Sequence, residues 1–244
     1  MSEPLDDIRR AAFELRQTDP QEAVRVLRRA AAAGGDAEVL ARGALGEIYL
    51  EEFGDLDGAE HEFRAVLKLA PGLPAAELGL ARVLREQGDG EADPAFERAL
   101  SGIARDVQRF RDSAAAGEEL PPGVEEVVLT LLEVAVELGE LRAAHGNDNA
   151  IKIPLDESVL VWAEKERLLD TADEPQDAED SDDWVRFYSL WTQLRLMTGR
   201  GEEALAAIAS AHLGDADKAG LAAEVREELG MPALVTLGNR APKP

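Results

Sequence analysis

Long stretches of this chain place apolar residues at the three- to four-residue spacing of one helix face, and glycine or proline separates each stretch from the next. Alanine and leucine recur throughout these stretches, whereas aromatic residues make up only 5% of the 244 residues. Both residues favour helix and suit closely packed helical cores, because their side chains are small or have well-defined rotamers. The pattern therefore predicts an all-α protein.

A helix-pair pattern recurs over residues 4–100 at a period of about 34 residues. Its clearest copy places small and apolar residues at fixed spacings: Leu45, Gly46 and Tyr49, then Ala59, Phe63, Val66 and Pro71. Small Gly46 allows the second helix to approach the first, and Pro71 ends the second helix. The copy from Leu80 to Ala99 repeats this arrangement, and the copy from Ile8 to Ala30 is degenerate, as a terminal repeat is expected to be.

These residues resemble the tetratricopeptide repeat (TPR), although the turn from Glu51 to Gly54 is one residue longer than the family pattern. The resemblance implies an α-solenoid of antiparallel helix pairs, wound into a right-handed superhelix. In that family the first helices line a concave groove, which binds an extended or helical segment of another protein. The predicted function is thus a protein-interaction scaffold or adaptor.

The resemblance also implies which residues line the groove: Gly43, Glu47, Leu50, Glu51, Leu78, Arg82 and Arg85. Some family members clamp a carboxyl terminus with lysine and asparagine, but Gly43, Glu47, Leu78 and Arg82 stand at those positions here. A clamp of that type is not supported. Within such a groove, Arg82 and Arg85 can pair with an acidic side chain of the partner. Glu47 and Glu51 can pair with a basic side chain of the partner.

Beyond residue 100 the repeat pattern fades, and additional C-terminal helices are predicted. The last repeat helix is expected to continue to Ala115, and residues 124–230 form a second helical region with a degenerate repeat-like pair near 184–212 and a tail at 231–244. Residues 1–111 carry 15 basic and 22 acidic groups, whereas residues 112–244 carry 11 and 28. This difference in charge supports a domain boundary between 115 and 124.

Two features of the C-terminal region have alternative interpretations. Trp184, Tyr188 and Trp191 share one helix face and form either core or a patch that anchors another protein, since tryptophan and tyrosine are enriched at interface hot spots. The acidic loop at 171–183 is either a solvated loop, a weak cation site or a docking segment for a basic partner.

Composition argues against several classes of function. The chain has no cysteine, and its three histidines fall in no metal-binding spacing. No nucleotide-binding or nucleophile motif is present, so neither catalysis nor a cofactor is predicted. The net charge of −24 disfavours nucleic acid and permits a basic protein partner.

No leader segment or membrane-spanning apolar run is visible, and a cytoplasmic protein without membrane contact is expected. Two alternatives to the scaffold stay open. One is a structural subunit that assembles through its repeat ends, and the other is an enzyme with an unfamiliar helical site.

Overall fold

A computed structural model describes residues 3–146, 151–169, 182–211 and 213–231. Within these ranges the chain forms eleven helices and no strand, so the prediction of an all-α fold is confirmed. The helices are α1 (Glu3–Arg10, Ala11–Leu15 and Arg16–Thr18, the middle segment being π-helical), α2 (Pro20–Ala31), α3 (Gly35–Glu51), α4 (Leu56–Leu69), α5 (Pro74–Gln87), α6 (Ala92–Ala115), α7 (Val124–Ala144), α8 (Ser158–Lys165), α9 (Asp182–Met197), α10 (Gly201–Ser210) and α11 (Asp215–Glu228).

The chain divides into two compact units. The first comprises Met1–Leu120 with Pro154–Asp156, and the second comprises Pro121–Ile153 with Glu157–Pro244. Helices α1 to α6 belong to the first unit, in which each helix packs against the next. Helices α7 to α11 belong to the second unit, where α7, α10 and α11 all pack against α9.

Three antiparallel helix pairs build the first unit, as the recurring pattern predicts. Short turns join α1 to α2, α3 to α4 and α5 to α6. Asp19 and Asp55 begin the second helices of the first two pairs, where each side chain accepts a hydrogen bond of 3.0 Å from a backbone N–H in the first turn. The first helices also pack in series, α1 on α3 and α3 on α5.

The ring of Phe63 on α4 packs against the backbones of two first helices. Phe63 is only 2% exposed. A Cβ atom added to Gly46 of α3 would lie 2.8 Å from this ring, and one added to Gly79 of α5 would lie 2.3 Å from it. Both glycines are therefore required by packing. The sequence predicts the close approach at Gly46, but the approach at Gly79 was not anticipated.

The second unit has its own core, in which α9 is central. Its aromatic residues Trp184, Phe187, Tyr188 and Trp191 are all at most 3% exposed, and their rings contact one another. Helix α7 lies against α9 and buries about half of its residues, which form an apolar stripe.

Two helix starts in the second unit have no side-chain cap. Glu157 precedes α8 and makes no side-chain capping bond. Gly214 precedes α11, so that Asp215 and Asp217 lie within its first turn, where a carboxylate is favourable beside the helix dipole. Helix α9 begins at Asp182, and residues 171–181 of the predicted acidic loop lie outside the described residues.

Candidate functional site

Arg16 of α1 joins the first helix of the array to α3 through three carboxylates. Its Nε donates to Glu52 Oε1 at 2.9 Å, and its Nη1 lies 3.5 Å from Glu47 Oε2. Nη2 also contacts the carboxylate of Glu51. Burial acts to lower the pKa of Arg16, but the Glu52 hydrogen bond and the three negative charges raise it above its ordinary value. The cluster therefore favours the charged guanidinium.

Glu47 occupies the centre of this cluster. Burial raises the pKa of its carboxyl group, and Glu51 adds to the effect, while the positive charges of Arg16 on α1 and Arg82 on α5 oppose it. Its side chain is nevertheless 55% accessible, so a ligand can reach a carboxylate that the surrounding protein has partly dehydrated. Charged groups of α1, α3 and α5 thus all act on the carboxylate of Glu47.

On α3, the residues next to Glu47 form a continuous stripe. Leu40, Gly43, Glu47 and Leu50 follow one another at spacings of three, four and three residues, which places them on one helix face. Leu40 is 51% exposed, although it is a large apolar residue, and Gly43 and Leu50 are half-buried. We call this stripe, together with Arg16, Glu51 and Arg82, the first-helix face.

One of the predicted groove residues on α5, Leu78, does not line an open surface. It is 7% exposed, so it is a core residue. The guanidinium of Arg85 lies 5.7 Å from the ring centroid of Phe96 on α6 and 3.7 Å from Glu86. Arg82 is the predicted α5 residue whose charge acts on Glu47.

Arg16 was missed by the groove prediction, although a signal for it is present. It stands 35 residues before Glu51, which is about one repeat period, and therefore occupies the equivalent place on the preceding first helix. The degenerate pattern of the first repeat obscured this equivalence.

The aromatic face of α9 is core, which corrects the alternative that it anchors a partner. Trp184 and Trp191 are 3% exposed and Tyr188 is 1% exposed. Trp191 Nε1 donates to Glu157 Oε2 at 2.8 Å, and the Tyr188 hydroxyl donates to Glu164. Both polar groups are satisfied within the second unit, as buried tryptophan and tyrosine require.

Glu157 holds the start of α8 against α9. Besides Trp191 it binds Arg195, whose Nη2 lies 3.3 Å from Oε2, and Arg200. Burial lowers the pKa of Arg195, and its guanidinium stacks 4.1 Å from the centroid of Trp191. These charged groups are engaged with one another, so their role in the described part of the chain is structural.

Among the described residues, no group of three or more histidine, aspartate or glutamate side chains could hold a metal ion. No helix within the same ranges is long and apolar enough to cross a membrane.

No family model matches this sequence, and no curated protein matches it. Among solved structures, the chain is similar to the Assembly Chaperone of RpL4 (Acl4), residues 1–338, with 20% sequence identity. The similarity covers 93% of this chain and 96% of that chain, with a TM-score of 0.43. A similarity of this strength does not define the fold or the partner of this chain.

Proposed function

We propose that this protein is a non-enzymatic, TPR-like interaction scaffold whose first unit binds a segment of another protein on the first-helix face. The observation that carries the proposal is the accessible carboxylate of Glu47 on α3, which lies 3.5 Å from Arg16 of α1 and feels the positive charge of Arg82 of α5, so that three successive first helices contribute to one surface. A surface assembled from several helices can contact a partner over a greater length than one helix can.

The composition of the first-helix face also favours protein binding. It combines a half-exposed leucine, Leu40, with an accessible carboxylate, Glu47, whose pKa is raised by burial. Apolar contact supplies affinity, and fixed charges supply specificity and steer association. This chain has a net charge of −24, which repels nucleic acid, so a cytoplasmic protein is the better partner.

A charge exchange tests the proposal. Glu47→Arg combined with Arg82→Glu keeps the net charge but reverses the pattern of charges presented to a partner. We expect about a tenfold loss of the specifically captured proteins in quantitative pull-downs from the native host, because charge complementarity is lost. The melting temperature should change by only a few degrees, since the Glu47 side chain is accessible and Arg16 keeps Glu51 and Glu52 as partners.

The matched control is Glu118→Lys with Glu119→Lys, two exposed residues in the turn after α6. This variant should retain the captured proteins even though its net charge is less negative. Equal capture by the wild type and the charge-exchanged variant would contradict binding at the first-helix face.

One observation favours self-assembly as a second candidate function. Phe13 on α1 is 70% exposed, whereas Ile48 and Val83, one and two periods later, are fully buried. Among the described residues, α1 packs against α2 and α3, which leave this position uncovered. Light scattering across a concentration series tests the idea: a wild-type dimer that Phe13→Ser converts to a monomer would support it, and a wild-type monomer throughout would exclude it.

A further inference from the structure

Gly43 lies in the middle of α3, where the fold gives no reason for a glycine. Its backbone is helical, and a Cβ atom added to it would meet nothing within 4 Å. Gly46, one turn later, has the opposite environment because the Phe63 ring fills its space. Glycine destabilises a helix interior relative to alanine, so a glycine without a packing role weakens α3. The space above Gly43 is open to a molecule outside the chain.

The residues around Gly43 suit a helix as that molecule. The spacing of Leu40, Gly43, Glu47 and Leu50 is that of a helix–helix seam, in which alternate steps of three and four residues keep one face towards a partner helix. A small residue within such a seam allows the two backbones to approach closely. An accessible leucine near one end and a half-buried leucine at the other provide apolar contacts on both sides of the glycine.

Glu47 determines the charge that this helix should carry. Of the three carboxylates around Arg16, Glu47 makes the longest contact, at 3.5 Å, while Glu52 accepts a hydrogen bond at 2.9 Å. Arg16 can therefore keep its other partners if a second cation approaches Glu47. The chain as a whole carries a net charge of −24, which attracts a basic molecule before contact.

We propose that α3 receives an amphipathic helix of a partner protein, which packs along Leu40, Gly43, Glu47 and Leu50. Apolar side chains of the partner lie on the two leucines, its backbone passes close to Gly43, and a lysine or arginine within its apolar face meets Glu47. This inference rests on the proposed function and specifies the chemistry of the partner at the same face.

The test uses a displayed library of 21-residue peptides with leucine at heptad seam positions, in which one central seam position and all outer positions are randomised. Selection is carried out against the full-length protein, and synthetic copies of the enriched peptides are titrated by calorimetry. We expect lysine or arginine at the central position. Gly43→Leu should weaken binding about tenfold or more by filling the space, and Glu47→Gln should weaken it by a similar factor.

Gly220→Leu is the matched control, because Gly220 is also within a helix and also has nothing within 4 Å of an added Cβ atom. It should leave peptide affinity unchanged while raising helix propensity in the same way. Both leucine variants should melt at or above the wild-type temperature. Gly43→Ala provides a second, smaller obstruction, with a smaller loss of affinity, if leucine at 43 perturbs the fold.

The outcomes separate this inference from the proposed function. Some peptides could bind wild type and Gly43→Leu equally but lose affinity for the Glu47→Arg/Arg82→Glu exchange. That result would overturn the packing of a partner helix over Gly43 and would leave the first-helix face as the binding surface. Enriched peptides with an acidic or neutral central position overturn the basic partner. If no peptide distinguishes wild type from the charge exchange, the helix proposal fails, and the pull-down comparison alone decides the proposed function.

Discussion

At the residue scale, Phe63 shows how one side chain can set the distance between three helices. Its ring belongs to α4, yet it occupies the space beside Gly46 of α3 and Gly79 of α5. Neither glycine could carry a side chain without displacing the ring. The packing of consecutive helix pairs in the first unit therefore depends on an aromatic residue and on two glycines that lie 33 residues apart in the sequence.

Gly79→Ala should reduce the free energy of unfolding by about 1–2 kcal/mol. Overpacking of a filled core lowers the free energy of unfolding by about 1–3 kcal/mol, and the better helix propensity of alanine offsets up to about 1 kcal/mol of this loss. Urea unfolding followed by circular dichroism measures the change. Gly43→Ala, which obstructs nothing inside the fold, should instead raise the free energy of unfolding by up to about 1 kcal/mol. Equal stability of the two variants would contradict this packing.

The ionised form of Glu47 should lower the free energy of unfolding. Its pKa is raised in the folded state, mainly by burial, so the folded state binds this proton more readily than the unfolded state does. The penalty is present above the folded pKa and disappears as the pH falls below the ordinary value of 4.5. Glu47→Gln should therefore be at least as stable as wild type at pH 7, and its advantage should shrink towards pH 4. An advantage that grows on acidification would contradict the assigned direction.

At the element scale, α1 is held to the array by fewer neighbours than any later first helix. Helices α3 and α5 each pack against a preceding pair, whereas within the described ranges the main packing partners of α1 are α2 and α3. The contact of Arg16 with three carboxylates of the α3 end compensates in part for this terminal position. Its side chain is 19% exposed, so the pairs are better shielded from solvent than ordinary surface pairs.

Arg16→Met should loosen α1 and leave the distant helices intact. The substitution retains the aliphatic length but leaves Glu47, Glu51 and Glu52 close together without their shared cation, a loss of about 1–2 kcal/mol. Hydrogen exchange should become faster across residues 3–18 and stay unchanged across residues 92–115. Arg25→Met, which removes a 67%-exposed arginine that pairs with Glu22 within α2, is the control and should change neither region. Uniform exchange in the Arg16 variant would contradict this local role.

At the scale of the whole molecule, each unit has its own buried core. Phe63 and Phe96 are buried in the first unit, and Phe187 and Trp191 in the second. Trp162, Trp184 and Trp191 are the only tryptophans of the chain, and all three belong to the second unit. Tryptophan fluorescence therefore reports on the second unit, whereas far-ultraviolet circular dichroism reports on the helices of both.

Phe63→Ala should destabilise the first unit by about 3–5 kcal/mol, since it removes a fully buried aromatic side chain. In urea unfolding, the circular-dichroism transition should begin at a lower denaturant concentration, while the fluorescence midpoint stays near its wild-type value. Separate transitions by two probes are the expected sign of two cooperative units. If both probes shift together, the two units unfold as one.

Sequence alone determined the local architecture of this protein. Apolar spacing and the positions of glycine and proline located the helices, including the extension of α6 to Ala115 and the long α7. The pairing of helices also followed from the pattern, because short turns leave neighbouring helices no alternative to antiparallel contact. The approach of Phe63 to Gly46 could be predicted for the same reason, since both belong to one pair.

Only the tertiary structure decided what occurs between pairs. Leu78 is buried because α5 packs against α3, α4 and α6, so that few directions around it remain open, and spacing within α5 cannot show this. The meeting of Arg16 with Glu47 and the second glycine beside Phe63 likewise depend on contacts between pairs. Helical periodicity specifies which face of a helix is apolar. How many neighbours cover that helix is set by packing in three dimensions.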